Sequence, residues 1–381
     1  MYTCLTAKGC LMTIQRLMIN IFVLKYPEII MKQTNLIFLA LSLFILWSCQ
    51  ETNRSSGEPK QIAAGQMPNI VTDKTGKLHM AFGKGDSILY SFSTDGLSFA
   101  APALVAVLPE LAASHTRGPQ IAITDFGISI TACINKGDIF SYYSAGTGSW
   151  TSGARVNDTD TTAKENLMAL SGDAKNLFAV WLDLRDGHNK LFGSASHDGG
   201  KTWEKNVLVY ASPDTTVCEC CKPSVLVANG TVNVMFRNWL NGNRDLYLIN
   251  SIDGGEHFTN LQKLGNASWK LDGCPMDGGS LVLNKDQKLQ TVWRRMGKIY
   301  HCEPGKAEIE IGEGRGCTLT SVNNQNVYAW VEKGEVVCIL PGKEKKNLGK
   351  GHSVAIQALN DKQVLCVWEN EGNLYSAAID I

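Results

Sequence analysis

The sequence predicts an all-β fold, a β-propeller of four-stranded blades. Three observations carry this: a Ser-x-Asp-x-Gly turn that recurs along the chain, a short apolar run that ends on an aromatic once per unit, and an apolar strand ahead of each such run. Blades of this kind bury their faces against one another, so a repeat of roughly 35–55 residues closes into a ring rather than into separate domains.

The turn is clearest at Ser196-His197-Asp198-Gly199-Gly200-Lys201-Thr202-Trp203. Ser251-Ile252-Asp253-Gly254-Gly255-Glu256-His257-Phe258 matches it position for position, Ser93 to Phe99 matches with one residue fewer, and Ser144 to Trp150 is a decayed copy without the Asp. The chemistry is that of a tight hairpin: Ser and Asp oxygens accept backbone N–H bonds and Gly supplies positive φ. The closing aromatic is expected to bury against the next unit.

The strand that ends on an aromatic recurs at Phe82, Trp181, Phe236, Trp293, Trp330 and Trp368, with Cys133 in the same place between the first two. That makes seven units. Apolar first strands such as Gln120–Ile123 and Ser224–Val227 precede them. Units five to seven lack the turn, in keeping with their shorter spacing. The chain stops at Ile381 straight after a third strand, so Pro59 to Ala64 is expected to close the ring as the missing outer strand.

Composition is that of an ordinary globular chain rich in turns: 381 residues, 44% hydrophobic, 36 Gly. The 36 basic and 36 acidic residues balance, which gives no electrostatic reason to expect nucleic acid. The first part of the chain reads as targeting. Met31-Lys32 opens a short basic region, an apolar run follows from Leu36 to Trp47, and Leu46-Trp47-Ser48-Cys49 ends it. This resembles a bacterial lipoprotein signal over residues 31–49 with Cys49 as the lipidated residue. A cleaved signal peptide or an uncleaved anchor is the alternative. Residues 1–30 read as an upstream start, residues 50–62 as a tether, and residues 63–381 as the propeller.

The recurring turn is the Asp-box (BNR) repeat, and the chain resembles the sialidase-like β-propellers over most of residues 63–381. Those sialidases have six blades, so six is the alternative to the count of seven. The Cys218-x-Cys220-Cys221 loop and the Trp269-to-Pro275 segment resemble a subgroup of bacterial lipoprotein propellers. That resemblance implies an envelope location, at the outer membrane through a lipid anchor, and no settled activity.

In a propeller the loops entering each first strand and those joining second to third strands open on one face, with the Asp turns on the other. The entering loops are expected to carry Arg117, the Cys218-to-Pro223 segment, Asp272 with Cys274, Arg315 with Cys317, and His352. The second-to-third loops are expected to carry Asp183, Arg185 and Asp186, then Arg237, Arg244 and Asp245, then Arg294 and Arg295, then Glu332. Arginines and carboxylates on one rim suit an anionic or hydroxyl-rich ligand, a glycan or other polar small molecule. The alternative is that Arg185-Asp186 and Arg244-Asp245 brace neighbouring loops. A catalytic sialidase would need an arginine triad, which Arg117, Arg237 and Arg294 or Arg295 imitate. It would also need a tyrosine nucleophile, and no Tyr falls on a late rim loop, Tyr328 lying inside a strand.

Of the 12 cysteines, Cys133, Cys302, Cys338 and Cys366 fall on predicted strands and read as core residues. Cys218, Cys220, Cys221, Cys274 and Cys317 read as rim residues, available for a disulfide or a soft metal such as copper, with Met276 nearby. A vicinal Cys220–Cys221 bridge is disfavoured because adjacent Cα atoms stand only about 3.8 Å apart. Cys274 bonded to Cys218, Cys220 or Cys221 is the expected pair. Three functions follow: a propeller that binds or processes a glycan, a soft-metal or thiol-redox protein, and a scaffold for an envelope complex.

Overall fold

The computed structural model describes residues 57–146 and 148–381. Cys49, the signal read in residues 31–49 and the upstream residues 1–30 lie outside the described residues. All regular structure among the described residues is β, in seven four-stranded antiparallel blades.

Blade one is β2 (Gln66–Thr72), β3 (Leu78–Lys84), β4 (Ser87–Ser93) and β5 (Ala103–Val107). Blade two is β6 (Gln120–Thr124), β7 (Gly127–Cys133), β8 (Ile139–Ser144) and β9 (Thr151–Arg155). Blade three is β10 (Met168–Asp173), β11 (Asn176–Asp183), β12 (Lys190–Ser196) and β13 (Val207–Tyr210). Blade four is β14 (Ser224–Ala228), β15 (Thr231–Arg237), β16 (Leu246–Ser251) and β17 (Thr259–Lys263). Blade five is β18 (Gly279–Leu283), β19 (Leu289–Arg295), β20 (Lys298–Cys302) and β21 (Ile309–Glu313). Blade six is β22 (Arg315–Val322), β23 (Gln325–Glu332), β24 (Glu335–Ile339) and β25 (Lys346–Lys350). Blade seven is β26 (His352–Asn360), β27 (Gln363–Asn370) and β28 (Asn373–Asp380), completed by β1 (Lys60–Ala64).

Strand β1 pairs antiparallel with β28, Lys60 opposite Ser376 and Ala64 opposite Asn373, so the start of the fold closes its end. The strand opens at Lys60, within the segment read from the sequence as tether. First strands of neighbouring blades touch all the way round, from β2 through β6, β10, β14, β18 and β22 to β26 and back to β2.

Seven hydrophobic clusters fill the seven gaps between blades, one to each gap. The aromatic at the end of each second strand anchors them: Phe82, Trp181, Phe236, Trp293, Trp330 and Trp368 are all buried, as is Cys133 in blade two. Cys302, Cys338 and Cys366 are buried on their strands too, and behave as small apolar residues.

The Asp turns are wired as the residue types dictate. Ser196 Oγ donates to Asp198 Oδ1 at 2.9 Å and accepts from Gly200 N at 2.9 Å, while Asp198 Oδ1 accepts from Lys201 N and Thr202 N, both at 3.0 Å. Ser251 with Asp253, and Ser93 with Asp95, repeat the pattern. The closing aromatic packs on the preceding blade, not the following one: Trp150 meets Tyr90 edge-on at 5.2 Å and Phe258 meets Phe178 at 5.5 Å. The reason lies in the first hairpin of the preceding blade, on which the turn rests. Ser129 Oγ donates to Gly199 O at 2.6 Å, and a Cβ on Gly199 would press on Phe126.

Asp198→Ala removes several of these bonds at once and is expected to lower stability by about 1–3 kcal/mol without altering the opposite face. A melting curve paired with a rim-ligand titration checks this. Binding lost at an unchanged melting temperature would show that the turn belongs to the ligand face.

Candidate functional site

The face opposite the Asp turns is walled on one side only. Long entering loops, residues 108–119, 156–167, 211–223 and 264–278, lead into blades two to five, and long second-to-third loops, residues 134–138, 184–189 and 238–245, rise from blades two to four. Blades six, seven and one are entered instead through single glycines, Gly314, Gly351 and Gly65. Each glycine N–H donates to a glycine carbonyl in the tight second-to-third turn of the blade before it: Gly65 to Gly372 at 2.8 Å, Gly314 to Gly297 at 2.9 Å, Gly351 to Gly334 at 3.1 Å. A Cβ at these positions would overlap the rings of Phe82, Trp330 and Trp368 respectively. The junctions therefore hug the aromatic anchors and leave no wall.

This corrects several placements. Arg315 and Cys317 lie on β22 and His352 on β26, because a one-residue junction leaves no entering loop to hold them. Asp183, Arg237, Arg294, Arg295 and Glu332 close their second strands rather than sit on the loops beyond.

Several rim charges are spent on bracing. Asp183 is fully buried and accepts Thr162 Oγ1 and Trp181 Nε1 at 2.8 Å, Arg185 N and Nε at 2.9 Å and Arg185 Nη2 at 3.0 Å. Arg185 continues to Asp158 at 3.1 Å and lies over the Phe192 ring. The pairs differ from those suggested by adjacency. Asp183, not Asp186, holds Arg185; Asp186 pairs with Lys190 at 2.6 Å; and Asp245 takes Trp269 N at 2.8 Å and Lys263 at 3.2 Å rather than Arg244. Arg295 pairs with half-buried Glu308 at 2.8 Å and lies over Tyr300. Asp272 is exposed.

Arg237 is 2% exposed and saturated by carbonyls: Arg244 O and Arg294 O at 2.8 Å, and Asp277 O at 3.4 Å from both Nε and Nη2. It ties the end of β15 to blade five and is not free to grip a ligand. Beside it stands Asp277, which sequence reading missed. Burial pushes its carboxyl up, against the pull of Gly316 N at 3.2 Å and of Arg237, Arg294 and Arg315. The signal was present in Met276-Asp277-Gly278-Gly279, where a Cβ on Gly278 would strike Lys222 O and one on Gly279 would strike Met235 and Val292 O; the paired glycines admit a close approach, and Asp277 reads as a turn residue beside them.

The groups left over are mostly cationic. Arg294 keeps a quarter of its side chain exposed; its Nε is buried with no hydrogen-bond partner, 3.9 Å from Asp277 Oδ2, and its guanidinium stands 5.9 Å from the half-buried Trp269 ring. Lys222 reaches from the loop entering blade four to Gln120 Oε1 of blade two at 2.7 Å, past the whole of blade three. The residue is half-buried, and burial lowers its ammonium to about 8. Arg117 Nε donates to Glu165 O at 2.7 Å, and burial raises the Glu165 carboxyl against the pull of Arg117.

The cysteines gather in the wall between blades four and five. Cys220 and Cys274 sulfurs stand at bonding distance with Cα atoms 6.2 Å apart. Cys218 Sγ lies 3.5 Å from Cys221 Sγ, 3.8 Å from Cys220 Sγ and 3.1 Å from Arg244 Nη1. Arg244 also faces Glu219 at 3.5 Å and lies over Trp239. The sulfurs of Cys218, Cys220 and Cys221 are close enough together to face one ion. Two features oppose it: the Cys220 sulfur is engaged by Cys274, and a guanidinium occupies the approach to Cys218. Cys317 is buried apart from them and its thiol is pushed well up by burial.

No family model matches the chain, and no curated protein matches its sequence. Solved structures do match. Polysaccharide lyase Uly1 aligns at a TM-score of 0.53 with 10% identity, over 83% of this chain and 90% of that one. A catalytically inactive virginiamycin B lyase from Staphylococcus aureus, with quinupristin, aligns at 0.51 with 11% identity, over 85% and 100%. The NanB sialidase of Streptococcus pneumoniae aligns at 0.47 with 11% identity, over 88% and 72%. What the chain shares with the first two is the propeller fold.

Burial would raise the Glu308 carboxyl, yet N–H bonds from Asn266 and Ala267 and the Arg295 partner hold it at about 2. A depressed carboxylate stabilises the fold fully above its unfolded value, about 4.5, and loses that contribution as pH falls toward 2. The melting-temperature gap between the wild type and Glu308→Gln should therefore be widest above pH 4.5 and shrink below it. A gap constant down to pH 2 would assign the effect elsewhere.

Proposed function

We propose that this protein is a lipid-anchored envelope propeller that binds an acidic glycan against the walled half of its axial face. The observation that carries the reading is the Arg294–Trp269 corner. Arg294 keeps a quarter of its side chain exposed beside that ring, and a ligand carboxylate there would pair with a cation that Asp277, 3.9 Å away, does not fully engage. The half-buried indole beside it offers a flat apolar face to a sugar ring. Lys222, Arg117 and Arg315 add positive charge along the same opening, against Glu165, Glu219 and Asp277. The fold is one that a polysaccharide lyase also uses, which is consistent with this reading.

The reading includes a disulfide between Cys220 and Cys274, which staples the loops entering blades four and five. With its ends separated by 54 positions in the sequence, the cross-link is worth about 4 kcal/mol in the chain-entropy model. Binding rather than sialoside cleavage is expected, since Arg237 is committed to carbonyls and Tyr328 packs edge-on against His301 between blades five and six.

Calorimetric titration with uronate oligosaccharides, against neutral ones of equal length, tests the proposal. Arg294→Ala should weaken acidic-glycan binding by tenfold or more, about 1.4 kcal/mol, at an unchanged melting temperature. Equal affinity for neutral and acidic ligands, or no effect of the substitution, would remove Arg294 from the site. Turnover of a fluorogenic sialoside that Asp277→Asn abolishes would make the protein a hydrolase instead.

Lipidation is tested separately. Cys49→Ala should leave the protein outside the membrane fraction or block its maturation; unchanged detergent partitioning and mass would mean that Cys49 is not the anchor.

A further inference from the structure

We propose that Cys218 and Cys221 form a buried dithiol that exchanges with the Cys220–Cys274 disulfide, making the wall between blades four and five a thiol–disulfide exchange site that reacts with small external disulfides. The inference rests on the Cys220–Cys274 bridge of the preceding reading. It does not depend on the glycan.

Four sulfurs stand in series from the interior to the surface. Cys218 and Cys221 are buried, Cys220 is half-buried and Cys274 is exposed. Each step between neighbours is short: 3.5 Å from Cys221 to Cys218, 3.8 Å from Cys218 to Cys220, and bonding distance from Cys220 to Cys274. Exchange proceeds by attack of a thiolate on a disulfide sulfur, so the order of the chain sets the order of reaction.

Cys218 is equipped to be the attacking thiolate. The Cys221 hydrogen bond lowers it most, burial opposes, and Arg244 at 3.1 Å with nearby Arg237 lowers it further, to about 7. Buried cysteines with only a packing role behave in the opposite way: burial pushes Cys133 up to about 12, and Cys302 and Cys317 are raised as well. Among the described residues, the arginine hydrogen bond to a buried sulfur falls on Cys218, which marks that sulfur as the charged one.

The chemistry balances within the protein. Having lost its proton to solvent, Cys218 attacks Cys220 Sγ. The Cys218–Cys220 bond forms, the Cys220–Cys274 bond breaks, and Cys274 leaves with the electron pair and takes up a proton. Burial holds the Cys221 thiol well up, so its proton passes to the Cys220 sulfur as Cys221 attacks Cys218 Sγ, the Cys218–Cys221 bond forming as the Cys218–Cys220 bond breaks. One disulfide and two thiols exist before and after, so no outside oxidant is needed. The outer dithiol, Cys220 with Cys274, can then reduce a small external disulfide RSSR to two RSH and re-form its own bridge, and two electrons leave the protein. Glu219, 3.5 Å from Arg244 and partly exposed, competes for the guanidinium.

Trapping the full-length protein with N-ethylmaleimide, followed by acid quench and non-reducing peptide mapping, tests this. At time zero the map should show Cys220–Cys274 bridged. With time in native buffer, label should accumulate on Cys220 and Cys274 while a Cys218–Cys221 bridge appears. Cys221→Ser should stop halfway, with Cys274 labelled and Cys220 held by Cys218. Cys218→Ser should prevent labelling of Cys274 altogether. Arg244→Leu should slow labelling by about tenfold. A Cys220–Cys274 bridge that stays unlabelled in the native wild type through prolonged incubation would overturn the exchange and leave the staple intact. Absence of that bridge at time zero, with stoichiometric copper on the thiols, would overturn both.

Discussion

The structure depends on how closely the backbone between blades can approach the aromatic that ends each second strand. Where the junction is a lone glycine, at Gly65, Gly314 and Gly351, the chain lies against Phe82, Trp330 and Trp368 and passes into the next blade with no loop. Any side chain there would displace a fully buried ring, so these junctions cannot grow without loosening the core. Everything that rises above the sheet edges must therefore come from the remaining junctions, and those lie side by side along blades two to five. An asymmetric face follows from a packing rule applied at three glycines.

The walled half needs its own support, and buried charge supplies it. Arg237 is held by carbonyls from three segments, at Arg244, Asp277 and Arg294, Asp183 gathers three side chains and a backbone N–H, and half-buried Glu308 caps the loop at Asn266 and Ala267. Asp183 and Arg237 are removed from water, tolerable only because their hydrogen-bonding capacity is nearly filled. Arg294 is held less completely. It shares Trp269 and Asp277 with Arg237, yet its Nε lacks a partner. A part-exposed cation beside an indole on the walled half is the feature on which the ligand reading rests. The thiols stand in the same wall, so glycan binding and sulfur exchange would share one support.

Much of the fold was legible in the sequence because it rests on local periodicity. The aromatic ending each second strand, the Ser and Asp of each turn, and the unpaired third strand at Ile381 that calls for β1 all follow from spacing alone. The proximity of Cys274 to the Cys218–Cys221 loop followed from neighbouring blades having neighbouring loops. What was not legible depended on side-chain direction. Arg185 pairs with Asp183 two residues back rather than with adjacent Asp186, because the strand end turns Asp183 inward. Asp277 reads as a turn residue beside two glycines, and only the packed backbone shows those glycines admitting Lys222 and β19. Arg315 and Cys317 read as a loop because the one-residue junction at Gly314 carries no signal beyond a glycine. The closing aromatics of the Asp turns were expected on the following blade, since sequence order does not reveal that the turn rests on the preceding hairpin.

The most direct measurement of the central claim is amide hydrogen exchange across the whole propeller with and without a saturating uronate oligosaccharide. The account predicts added protection in the loops of residues 211–223 and 264–278 and at the end of β19, with none in the Asp turns at residues 93–99, 196–203 and 251–258. Protection confined to those turns, or to the low side at Gly314 and Gly351, would contradict it.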